Sequence, residues 1–316
     1  MRFHEFKNGD QMPLLGLGTW KAAPGEVGEA VFTALELGYR HLDCAAIYGN
    51  EEEIGVALRR AFDEGLVSRD DLWITSKLWC NRHREEEVEV GLRASIEALG
   101  VEYLDLYLVH WPVAVRFDVV GPKGPEDFLS LDEVPLEETW AGMTAALELG
   151  LTRHIGVSNY NLERLRAHAG FASPPEVIQV ELHPYLQQQA LVDGSHDLGV
   201  LPTAYSPLGS MDRPETMKGD DEPLLLQDEV VGAVAAEQGV TAAQVLLAWA
   251  IQRGTSVIPK SVHRGRLAEN LAAADLTLSD GQMARLGALD RSFRFVTGTF
   301  WERAGGPYPA AELWGE

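Results

Sequence analysis

The chain has 316 residues, 46% hydrophobic and 23% charged, which is apolar material enough for two ordinary domains or one large α/β barrel. Its formal net charge of −22 argues against nucleic acid or an anionic membrane as a partner, because either would add to the self-repulsion. No apolar run approaches a membrane span, and Met1-Arg2-Phe3-His4-Glu5-Phe6 lacks a signal-peptide core, so the expectation is a cytoplasmic protein, a monomer, with Cys44 and Cys80 as free thiols.

The first residues alternate apolar and polar around Asn8-Gly9, which predicts a β-hairpin ahead of the main fold. After it the pattern settles into strand and helix by turns. Candidate strands cover 14–18, 40–44, 72–77, 104–110, 154–158, 177–180, 201–205 and 256–259. Helical patterns cover 26–37, 51–64, 84–99, 136–149, 162–168, 188–198, 241–252 and 264–273, and several stop at a glycine (Gly38, Gly65, Gly100, Gly150, Gly199).

Eight strands alternating with eight helices predict a single (β/α)8 TIM barrel filling 1–316 as one domain. A doubly wound sheet would need a third glycine in its first turn, where Gly16-Leu17-Gly18-Thr19-Trp20-Lys21 carries lysine. Three connections, 111–135, 206–226 and 293–316, exceed a minimal barrel and are expected over its C-terminal face. Trp73, Trp140 and Trp249 read as core.

Three consecutive strand ends carry titratable groups. The second ends in Asp43, with Tyr48 on the Gly-marked loop beyond it; the third ends in Lys77 and the fourth in His110. Strand ends at that face are where barrel enzymes keep their chemistry. Taken singly, each has a plain structural alternative as core histidine, snorkelling lysine, capping aspartate or packing tyrosine. Only six of the 26 basic residues are lysine, which sets Lys21, Lys77 and Lys260 apart.

The ordered blocks from Met12-Pro13-Leu14-Leu15-Gly16-Leu17-Gly18-Thr19-Trp20 through the 38–51 stretch, Leu108-Val109-His110-Trp111-Pro112, Gly156-Val157-Ser158-Asn159-Tyr160, His183-Pro184-Tyr185, Tyr205-Ser206-Pro207-Leu208-Gly209-Ser210 and Ile258-Pro259-Lys260-Ser261-Val262 resemble the aldo-keto reductase superfamily, of the aldose and aldehyde reductase type. The resemblance implies NADPH-dependent reduction of a small carbonyl compound. It makes Tyr48 the proton donor, Lys77 the cation beside it, Asp43 the anchor of Lys77, and His110 the group that orients the carbonyl. The chemistry suits those roles, since a free tyrosine of pKa about 10 is protonated at neutral pH but a sluggish donor without a cation to stabilise its phenolate.

The same resemblance implies a cofactor track. Ser158, Asn159 and Gln179 would hold the nicotinamide amide, and Tyr205 would stack on its ring. Gly18, Thr19, Trp20 and Lys21 would flank it. Ser206, Pro207, Leu208, Gly209 and Ser210 would line the pyrophosphate, with Asp212 able to bridge Lys21 and Lys260 across it. Lys260, Ser261, Val262, Arg266, Glu269 and Asn270 would take the adenosine end, and His263 departs from the small hydroxyl residue usual there. Trp20, Ile47, Trp79, Trp111, Phe117, Phe300 and Trp301 are candidates for an aromatic substrate pocket.

No His-Glu-x-x-His helix, Cys-x-x-Cys pair or phosphate-binding Gly-Lys-Ser/Thr loop occurs in the sequence, so no metal is expected. The alternative to catalysis is a cofactor-loaded regulatory subunit on the same fold.

Overall fold

The predicted hairpin pairs Phe3–Glu5 with Gln11–Pro13, in the register Phe3↔Pro13, His4↔Met12 and Glu5↔Gln11. Its apolar face goes inward: Phe6 and Met12 pack on Trp73, Leu106, Leu108, Val177 and Leu201, plugging the end of the sheet where the strands begin. The computed structural model describes residues 2–219 and 221–315; Asp220 of the second long connection and Glu316 of the third lie outside it.

Among the described residues eight parallel strands follow: β1 (Leu17–Gly18), β2 (His41–Asp43), β3 (Trp73–Leu78), β4 (Leu104–Val109), β5 (Thr152–Ser158), β6 (Val177–Glu181), β7 (Leu201–Tyr205) and β8 (Ser256–Val257). Each is hydrogen-bonded to the next in chain order. The two ends of the sheet meet through a parallel bridge between Leu15 and Val257, with Gly16 N–H donating to the Val257 carbonyl at 2.9 Å and Gly18 N–H to that of Pro259 at 3.1 Å. This closes a (β/α)8 barrel. Glycine is required at the seam, because a Cβ on Gly18 would lie 2.7 Å from the Ile258 carbonyl oxygen.

The helices form the outer layer because each carries an apolar stripe. The helix Val27–Leu37 buries Val27, Ala30, Val31, Ala34 and Leu35, the i, i+3, i+4, i+7, i+8 spacing of one helical face, and ends at Gly38 with φ 105°. Trp73, Trp140 and Trp249 are buried, as expected. No single helix among the described residues is long and apolar enough to cross a membrane.

Three helices among the described residues were absent from the sequence reading, the short Ala310–Trp314 in the tail and two longer ones. Glu229–Gln238 precedes Ala242–Gln252 between β7 and β8, and Asp280–Gly287 follows Arg264–Ala272. Both carried start signals: Asp228 caps the first by accepting from Val230 and Val231 N–H, and Ser279 with Gln282 forms a capping box on the second. The first long connection also holds a small antiparallel pair, Ala114–Val115 with Phe128–Leu129.

Candidate active site

Parallel pairing puts the ends of β2, β3 and β4 side by side, and with them their polar groups. Lys77 Nζ lies 2.6 Å from Asp43 Oδ2 and donates to the Cys44 carbonyl at 2.8 Å, with the lysine side chain fully buried and the aspartate nearly so. Gln179 Nε2, from β6 across the barrel, donates to Asp43 Oδ1 at 2.7 Å. Both carboxylate oxygens are therefore occupied, as a buried carboxylate requires.

Tyr48 ends a short 3-10 turn, Ala46–Tyr48, that Gly49 terminates at φ 65°. Asn50 Nδ2 ties the loop to the Thr19 carbonyl at 2.9 Å, and Thr19 Oγ1 donates to the Asp43 carbonyl at 2.8 Å. The Lys77 ammonium lies 5.2 Å from the centroid of the Tyr48 ring. The ring of His110 meets that of Tyr48 edge-on at 5.9 Å and that of Trp79 edge-on at 5.3 Å.

On the far side, Tyr205 OH donates to Asn159 Oδ1 at 2.8 Å, and Asn159 Nδ2 donates to the His110 carbonyl at 2.9 Å. Ser158 Oγ donates to the Gln179 carbonyl at 2.8 Å. A cavity of about 930 Å³ runs from Tyr48 and His110 past these groups to Lys260, Arg266 and Asn270. Lys21, Asn159, Ser206 and Ser210, non-glycine residues with φ between 48° and 67°, all line it. Left-handed backbone on such residues survives only where the surroundings enforce it, and clusters at functional sites.

Residues 14–291 match the aldo/keto reductase family. An aldo/keto reductase of Synechocystis sp. is 54% identical over 317 aligned positions, covering 100% of this chain and 97% of that protein. Aldo-keto reductase family 1 member A1 of Bos taurus is 46% identical, covering 91% of this chain and 89% of its own length. The structure of the aldose reductase from Schistosoma japonicum superposes with a TM-score of 0.86 at 38% identity, covering 95% of this chain and 96% of that one. The chain belongs to the aldo/keto reductase family. It is an NAD(P)H-dependent oxidoreductase, and the family reduces small carbonyl compounds.

The reductase's cavity is suited to a nicotinamide dinucleotide on its own donors. Buried amide groups of Asn159 and Gln179 border one end and the cations Lys260 and Arg266 the other. Between them Lys21 Nζ reaches Asp212 Oδ1 at 2.6 Å and Ser210 Oγ at 2.7 Å, while Lys260 Nζ reaches Asp212 Oδ2 at 3.3 Å. The bridge joins three wall segments of the cavity. Burial opposes the charge on Asp212, but Lys21 and Lys260 outweigh it and hold the carboxyl below its usual range.

Of the sequence candidates, Gly18, Thr19, Trp20, Lys21, Asp43, Ile47, Tyr48, Trp79, His110, Trp111, Ser158, Asn159, Gln179, Tyr205, Ser206, Pro207, Leu208, Ser210, Asp212, Lys260, Ser261, Val262, Arg266, Glu269, Asn270 and Phe300 line this one cavity. Four candidates do not, the first being Lys77, which is fully buried against Asp43 and the Cys44 carbonyl. Phe117 is 62% exposed on the first long connection, its carbonyl taken by Asn81 Nδ2, and lies outside the cavity. Trp301 is buried behind the wall against Trp79 at 5.6 Å and Trp111 at 5.9 Å. Gly209 turns the loop at φ 88°, packed against Leu225 and Phe295. Lining residues that the sequence reading passed over include Met217, Val296 and Thr241 to Ala243, the last at a helix start whose Thr-x-x-Gln capping box was visible in the sequence. Cys44 and Cys80 are buried free thiols.

Proposed function

We propose that this reductase converts aldehydes, and some ketones, to alcohols with NADPH, and that Asp43, Tyr48, Lys77 and His110 carry the chemistry. The observation that carries the reading is the buried Asp43–Lys77 pair set beside Tyr48 at one end of a cavity whose other end holds Lys260 and Arg266. When bound, the reduced nicotinamide supplies a hydride to the carbonyl carbon.

Tyr48 supplies the matching proton from its hydroxyl to the carbonyl oxygen. Burial, with Asp43, Cys44 and Glu51 adding to it, pushes the Tyr48 phenol well above its usual value, so the resting side chain keeps its proton. As the proton leaves, the ammonium of Lys77 is the nearby positive charge that stabilises the phenolate, and Asp43 fixes that ammonium in place. Burial and the Lys77 charge hold His110 well below the ordinary histidine range, so it is neutral and acts as a hydrogen-bonding guide to the carbonyl rather than as a rival acid. Trp20, Trp79, Trp111 and Phe300 exclude water and present aromatic faces to the substrate.

Lys260 and Arg266 support a preference for the 2′-phosphate of NADPH, being cations retained in a chain of net charge −22. The tail beyond the family match supplies Val296 and Phe300 to the cavity, which supports reading residues 1–316 as one functional unit. Two unpaired thiols support a reducing, cytoplasmic setting. The test is NADPH oxidation followed across aliphatic, aromatic, sugar and ketoacid carbonyls. Turnover of uncharged aldehydes is expected; NADPH binding with no turnover of any carbonyl would move the chain to a regulatory role.

A further inference from the structure

The loop that carries Asp212 and the C-terminal tail meet at Arg213. Although it lies in a long connection, Arg213 is only 2% exposed. Its guanidinium is engaged on every side: Nη2 pairs with the Glu222 carboxylate, Nε donates to the Met217 carbonyl at 3.1 Å, and Nη1 donates to the Ser210 carbonyl at 3.2 Å. Its central carbon lies 5.1 Å from the centroid of the Phe295 ring. Ser210 is the residue whose hydroxyl Lys21 grips, so Arg213 braces the bridge over the cavity from behind.

Phe295 is itself held to the barrel. Its N–H donates to Glu181 Oε1 at 2.6 Å and the Val296 N–H to Glu181 Oε2 at 2.7 Å, on a carboxylate with no solvent exposure that His183 Nε2 also contacts at 2.9 Å. Close packing adds a second tie, since a Cβ on Gly209 would stand 3.4 Å from the Phe295 ring. The following residue, Val296, and then Phe300 line the cavity on the Tyr48 side. One contiguous set of contacts therefore runs from the substrate end of the cavity, through Phe295 and Arg213, to Ser210 and the Lys21–Asp212–Lys260 bridge.

We propose that Arg213 is a positioning residue that locks the bridging loop onto the C-terminal tail, so that the segment shaping the substrate end also sets how long the dinucleotide stays bound. The inference rests on the NADPH reading above. Phe295 is not among the residues that line the cavity, so a merely local account of the bridge gives it no influence on cofactor release.

The experiment is a stopped-flow measurement of NADPH release, read from the fluorescence of the bound dinucleotide after a chase with excess NADP+, for wild type, Arg213→Ala, Phe295→Leu and the double variant. Arg213→Ala should raise the release rate by about tenfold or more, the scale of a lost set of charge-assisted bonds. Phe295→Leu should raise it by about threefold, and the double variant should release no faster than Arg213→Ala, since groups acting as one unit are non-additive. Arg213→Lys should restore part of the slow release. Unchanged release in Phe295→Leu, or rate effects that multiply in the double variant, would overturn the coupling while leaving the cofactor reading intact. Wild-type protein that shows no NADPH fluorescence change would overturn both. Should Arg213→Ala fail to fold, Glu222→Gln, which removes only its carboxylate partner, takes its place in the cycle with the same expected order of effects.

Discussion

Lys77 Nζ and Asp43 Oδ2 stand 2.6 Å apart, the lysine side chain fully buried and the aspartate 2% exposed at the cavity wall. Attraction between buried charges is strong, but so is the cost of desolvating them, and the pair is tolerable only because Cys44 and Gln179 complete its hydrogen bonds. Removing one partner leaves the other charge stranded. Lys77→Met should therefore cost about 3–5 kcal/mol of stability in urea unfolding and lower turnover by about 10²-fold or more. Asp43→Asn, which can still accept from Lys77 and Gln179, should lower both by less. Equal stability of wild type and Lys77→Met would show that the pair is not buried in solution.

The proposed preference for NADPH rests on Lys260 and Arg266. Arg266→Ala should raise KM for NADPH by about tenfold or more and leave KM for NADH nearly unchanged, because only the former carries the extra phosphate. Comparable shifts with both cofactors would place Arg266 away from that phosphate.

A sharper division among the aromatic residues can be checked by kinetics. Phe300→Ala and Trp111→Ala should raise KM for an aromatic aldehyde by about tenfold, because they remove lining area from the cavity. Phe117→Ala should change it by less than about twofold, the side chain being 62% exposed outside the cavity. A large effect at Phe117 would mean that its loop folds over the mouth when substrate binds.

The hairpin plug carries its own pH dependence. His154 lies between Glu176 at 2.7 Å and Asp10 at 3.0 Å; burial disfavours its charge, but the two carboxylates outweigh burial and raise its pKa. A group with a raised folded-state pKa stabilises most below its unfolded value of about 6.5, and that contribution fades as pH rises through the folded value. Thermal stability attributable to this site should thus fall as pH is raised above about 6.5, and His154→Gln should flatten that part of the profile. A His154→Gln profile parallel to wild type would show that the histidine does not titrate there.

Much of this arrangement could be read along the chain, for identifiable reasons. Asp43, Lys77 and His110 each close an apolar run, and parallel pairing in chain order then forces those ends together, so the sequence order of strand ends becomes spatial order. The Lys21–Asp212–Lys260 bridge could be named as a possibility but not chosen over a solvated surface charge, because loop geometry decides it. Phe300 and Trp301 show a similar limit: two adjacent aromatics share a short turn and both pack on Trp111, and only burial tells that Trp301 backs the wall while Phe300 lines it. The helix Glu229–Gln238 was hidden because Gly232 interrupts it and another helix follows almost at once, so the usual strand-helix alternation gave no slot for it. Arg213 had no signal at all, since its partners Glu222, Met217, Ser210 and Phe295 form no motif.

The central claim is that Tyr48 gives the proton, and Tyr48→Phe isolates it by keeping the ring against Trp20 and His110 while removing only the hydroxyl. The measurement is single-turnover reduction of an aromatic aldehyde by Tyr48→Phe, with NADPH affinity determined in parallel by fluorescence titration. The expected result is NADPH binding within about twofold of wild type and a rate lower by about 10² to 10⁴-fold. A near-wild-type rate with NADPH bound would remove Tyr48 from the mechanism and leave His110 as the acid.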